Sequence, residues 1–159
     1  MATMSPFDGL RIPRDLICEF FAVFSRFEFT LKESGFMCVN RNGHAAPDWR
    51  GFAASAVASL NVDAGSDLAH AIDYLNNDPP QVQVSAQGWS RLPLRGSTAI
   101  ERAIDAIQRV RNNLFHGGKH TPHSPNGRDE KLVRLSLLVL NACLMQDENL
   151  RITYEQTNF

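Results

Sequence analysis

The sequence has no net charge of consequence, no patterned cysteines and no apolar run long enough to span a bilayer, and each absence removes a class of protein. With Lys+Arg 16 against Asp+Glu 17, the formal charge is −1. A chain so balanced exerts no global pull on polyanions, so a nucleic-acid site must be local, built from a few Arg and Lys side chains. Cys18, Cys38 and Cys143 are odd in number, widely spaced and never arranged as C-x-x-C. That predicts a reducing compartment and no disulfide frame. The richest apolar stretch, LVRLSLLVLNACLM, is about 14 residues long and interrupted by Arg134 and Asn141, too short for a membrane span. The opening residues MATMSPFDGLRIPRDL place no apolar segment behind a basic start, so no signal peptide and a cytoplasmic location are expected. There is no glycine-rich phosphate loop, Ser–His–Asp pattern or nucleophile elbow, and no repeat or low-complexity segment.

What is present is ordinary soluble material. The 159 residues are 43% hydrophobic and 21% charged, which predicts one domain over 1–159, large enough for a sizeable core. Leu16, Phe20, Phe24, Phe27 and Leu31 recur at three- and four-residue steps between Pro13 and Gly35 and predict a helix over 13–34. Further helices are expected at 48–60, capped by Asp48, and at 66–77, capped by Ser66. Another spans 98–116, where Thr98 and Glu101 have capping-box spacing and Gly117-Gly118 follow. The last long helix, 129–146, is apolar on nearly every side. It is therefore either the centre of the bundle or part of an oligomer interface. Residues 36–47 and 79–97 read as long irregular connections, although VQVSA alternates like a short strand. NLRITYEQTNF reads as a short strand or coil. The expected fold is all-α: a single up-and-down helical bundle of four to five helices, with its core over about 13–146.

The stretch RVRNNLFHGG carries the chemistry. On an ideal helix Arg111 falls within roughly 20° of Ile100, well inside the apolar stripe of Ile100, Ala103, Ile104, Ile107, Val110 and Leu114. A guanidinium there needs a partner. Glu28, at the margin of the first helix's apolar face, is the expected one, with Lys32 one turn further adding positive charge. Asn112 and His116 are one helical turn apart and can be neighbours. Arg, Asn and His together offer a phosphate clamp, a polar orienter and a group that moves protons near neutral pH. An ordinary reading stands beside this one: His116 and the glycines as a helix C-cap, Arg111 as a structural ion-pair residue. Lys119 and His120 would add charge at the rim. His116, His120 and His123 lack an accompanying Cys, Asp or Glu at ligand spacing, so no metal is expected. Trp49 and Trp89 could stack on a base, though a Trp opening an amphipathic helix is more often a core anchor.

The run Arg111-Asn112-Asn113-Leu114-Phe115-His116 resembles the R-x(4–6)-H signature of HEPN domains, small α-helical bundles often acting as ribonucleases, in which a polar residue usually follows the arginine. The resemblance to a bundle covers roughly 13–146, and 111–116 is its sharp part. It implies metal-independent RNA cleavage by attack of the 2′-hydroxyl on the adjacent phosphate, leaving a 2′,3′-cyclic phosphate. His116 would be the proton carrier, Arg111 the phosphate stabiliser and Asn112 the orienter. It also implies RNA as partner, no cofactor, a homodimer whose two motifs meet in one cleft, and a role as toxin or anti-phage effector restrained by a partner protein. A non-catalytic module of the same fold, binding nucleotide, RNA or protein, is the alternative.

Overall fold

The computed structural model describes residues 5–116 and 124–156. Its elements are α1 (Arg14–Glu33), β1 (Met37–Val39), β2 (Ala45–Pro47), α2 (Trp49–Ser59), α3 (Asp67–Asn77), β3 (Val82–Gln83), β4 (Trp89–Ser90), α4 (Ala99–Phe115), α5 (Arg128–Gln146) and α6 (Glu148–Glu155). The architecture is all-α, with the five expected helices bounded within one residue of where the sequence puts them. The caps explain this agreement. Asp48 Oδ1 accepts from the Gly51 amide at 2.9 Å, and Ser66 Oγ from the Ala69 amide at 3.1 Å. Thr98 and Glu101 form a reciprocal capping box. At the other end of α1, Gly35 adopts φ +89, a left-handed conformation that a side chain would oppose, and the Phe36 amide turns back to the Leu31 carbonyl at 2.8 Å.

Three segments depart from expectation. Residues 36–47 are a hairpin rather than an irregular connection: β1 and β2 pair antiparallel, and Asn40 Oδ1 closes the turn by accepting from the amides of Asn42 and His44. Within 79–97, Val82 and Gln83 pair with Ser90 and Trp89, so only the first two residues of VQVSA form a strand. Residues 148–155 form α6, neither strand nor coil. Ile152, Thr153 and Tyr154 favour strand intrinsically. Asp147 overrides them by accepting from the Leu150 amide at 2.9 Å, and Leu150 is buried against the core.

One contiguous cluster of buried side chains draws on every helix. Its densest part is aromatic: Phe27 and Trp49 stack with ring centroids 5.6 Å apart, flanked by Phe24 and Phe52. Helix α5 packs against α1, α2, α3, α4 and α6, so its all-round apolar character is that of a central helix. Cys143 lies inside it, buried, and desolvation pushes its thiol up to about 12. Cys18 and Cys38 are exposed. No helix among the described residues is long and apolar enough to cross a membrane.

Candidate functional site

Helix α4 carries the motif at its C-terminal end. Its buried face is centred on Ala103, Ile107 and Val110. In projection Arg111 falls between the buried Ile104 and Ile107, about 20° and 40° from them, yet in the last turns of the helix it is only half-buried. Its expected partner is not Glu28. The Glu28 Oε1 atom instead accepts from the indole Nε1 of Trp49 at 3.1 Å, so this carboxylate anchors the Trp that opens α2. Lys32 is half-buried in the last turn of α1, where the helix dipole favours a cation, and forms no ion pair with Glu28.

The Arg111 guanidinium rests on aromatic rings. Its Cζ lies 5.6 Å from the Phe24 ring centroid and 5.1 Å from that of Phe115. One terminal nitrogen donates to Asn112 Oδ1 at 3.1 Å. No carboxylate lies within ion-pair distance of it among the described residues, so its positive charge is held in place yet not neutralised. Phe115 in turn contacts the exposed Phe21 of α1, with centroids 5.3 Å apart. The result is an aromatic shelf on the surface, carrying a cation.

His116 is the C-cap of α4 and is exposed; its amide donates to the Asn112 carbonyl at 2.9 Å. The capping half of the ordinary reading is therefore correct for the backbone. The imidazole makes no hydrogen bond among the described residues and is free for other work. Asn113, the motif's third residue, is buried and donates to the Gln81 carbonyl at 2.7 Å, which pins the end of α4 to the preceding connection. Lys119, His120 and His123, with Gly117 and Gly118, lie outside the described residues. Among those described, no group of His, Cys, Asp and Glu is placed to hold a metal ion.

A second constellation escaped the sequence reading. Asp105, buried on α4, accepts from the Arg95 amide and from Arg95 Nε, both at 3.1 Å, and from Arg109 at 2.9 Å. Arg109 also donates to the carbonyls of Leu92 and Pro93. Together these bonds fasten residues 92–96 onto α4. Between that fastening and α2 lies a cleft of about 680 Å³, whose floor includes Trp49, Ala53 and Ile104. The one signal available beforehand was a charged i, i+4 pair, Asp105 and Arg109.

The fold and site define a helical bundle with an arginine, an asparagine and a histidine at one helix end. Compared with known proteins, the chain matches no family model, no curated protein and no solved structure.

Proposed function

We propose that the chain is a metal-independent endoribonuclease of the HEPN type. The observation that supports this most is the un-neutralised Arg111 guanidinium, held by Phe24, Phe115 and Asn112, five residues before an imidazole with no hydrogen bond among the described residues. An arginine whose charge is unspent on an acid is available to a phosphate, whose planar pair of oxygens matches its fork. In the reaction the 2′-oxygen loses its proton and bonds to phosphorus. The bond from phosphorus to the 5′-oxygen then breaks, and that oxygen takes up a proton. His116 carries a proton in one or both transfers, and Arg111 stabilises the added charge on the phosphorane. As the resemblance to HEPN domains implies, the active form is a homodimer with the 111–116 segments adjoining. A nuclease of this kind acts as a toxin or anti-phage effector in the cytoplasm, restrained by a partner protein.

A second reading is favoured by one detail. Asn112 Oδ1 is engaged by Arg111, so it does not orient His116, as a module that binds RNA or nucleotide without cutting would allow. The deciding experiment is a gel of RNA incubated with purified wild-type and His116→Ala protein, with EDTA present. Wild type is expected to cut, and the variant about 10²–10⁴-fold more slowly with its circular dichroism unchanged. Equal rates, or activity abolished by EDTA, would reject the mechanism. An intact wild type that binds RNA and never cuts it would favour the module.

A further inference from the structure

The cleft between α2 and α4 is aligned with the motif. On an ideal helix its α4 lining, Glu101, Ile104, Asp105 and Gln108, spans a sector of about 100°. Asn112 and Phe115 fall inside the same sector, and Arg111 and His116 lie roughly 20° to either side. One face of α4 therefore runs from the cleft directly to the Arg111 shelf. From Glu101 to Asn112 the axial distance is about 16 Å.

The polar atoms of the cleft are committed unequally. Arg50 lines it, is exposed, and has no ion pair or hydrogen bond among the described residues. The side chain of Arg95 is 87% exposed. It uses Nε on Asp105 and leaves both terminal nitrogens free. Of the two acids, Asp105 is ion-paired, whereas Glu101 is held by neutral donors and keeps its charge. Asp105 is shared between Arg95 and Arg109, and Glu101 Oε2 takes donors from Ser97 and Thr98. With Arg109 behind Asp105, three arginines stand against two acids, an excess of one positive charge over a partly apolar floor. Local cations above an apolar floor suit a strand whose phosphates face outward and whose bases face in.

We propose that this cleft is the track for single-stranded RNA leading to the Arg111–His116 end of α4, with Arg50 and Arg95 on its phosphates. Arg50, Arg95 and Arg109 against Asp105 and Glu101 give the track a local excess of one positive charge in a chain of net charge −1. This inference rests on the ribonuclease reading for what happens at the end of the track, and it is tested separately from it. The probe is a fluorescently labelled oligouridine, its binding read by anisotropy in a His116→Ala background that prevents turnover. Adding Arg50→Glu is expected to weaken binding about tenfold or more and to flatten the salt dependence. Arg50→Lys should recover most of the loss. Arg41→Glu, the same charge change in the turn between β1 and β2 and outside the cleft's lining, should change affinity less than about twofold. Equal losses from Arg50→Glu and Arg41→Glu, or no binding at all, would overturn the track. RNA bound through Arg50 by a wild type that never cuts would uphold the track and reject the catalysis. RNA cut by wild type with no dependence on Arg50 would do the reverse.

Discussion

At Arg111 the guanidinium rests on two phenyl faces rather than on a carboxylate, and this governs what substitution there does. Each cation–π contact at a partly exposed site contributes about 0.5–1 kcal/mol, whereas stripping a buried acid of its base costs several times more. Because no acid is stranded by its removal, Arg111→Ala should leave circular dichroism unchanged and lower the melting temperature only slightly. RNA cleavage by the same variant should fall about 10²–10³-fold, the usual loss for a transition-state donor. Arg111→Lys should recover little, since an ammonium has no planar fork. A variant that unfolds would show the residue to be structural. The sequence pointed to Arg111 but to the wrong partner, for a definable reason. A helical projection gives the angle of Arg111 on its own helix and says nothing of which neighbour arrives. Glu28 was claimed by the indole of Trp49, a contact across elements that no local spacing encodes.

Among the elements, α4 is the most constrained. Glu101 Oε2 accepts from the amides and hydroxyls of both Ser97 and Thr98, bonds that bring its carboxyl down to about 2 from an ordinary 4.5. The lowered value means that the folded chain binds fewer protons than the unfolded one as pH falls through this range. Stability from this group is thus fully present above the unfolded value and is lost as pH drops toward the folded one. Melting temperatures of wild type and Glu101→Gln should therefore differ by a constant amount above about pH 5 and converge as the pH approaches 2. A gap that stays constant to acid pH would mean that the charge plays no part in the cap. Further along the same helix, Asp105→Ala should destabilise by about 3–5 kcal/mol in urea unfolding, because it strands the guanidinium of the mostly buried Arg109. A loss within experimental error of zero would show the fastening of residues 92–96 to be unnecessary. Helices, caps and even the capping box were legible because they are local. The two hairpins and α6 were less so, since very short strands and a strand-prone helix are decided by pairing and burial beyond the segment.

For the whole molecule, α5 sets the cooperativity. A helix that touches all five others leaves no sub-bundle with a complete core of its own, so the chain should unfold in one step. The cysteines provide a way to watch this happen. A thiol reacts as thiolate; Cys18 and Cys38 are exposed, whereas Cys143 is enclosed by α5's neighbours. A thiol reagent mixed with native protein should modify two groups promptly and leave the third waiting. If α5 is released only when everything else is, that third modification follows the rate of global opening and not of any local fraying. Mass spectrometry across a urea series should show the lag shrinking in step with the loss of ellipticity. A Cys143 that reacts early, while the spectrum is still native, would mean that the bundle breathes around its own axis. The odd cysteine, useless for a disulfide, thus serves as an internal clock for the life of the folded state.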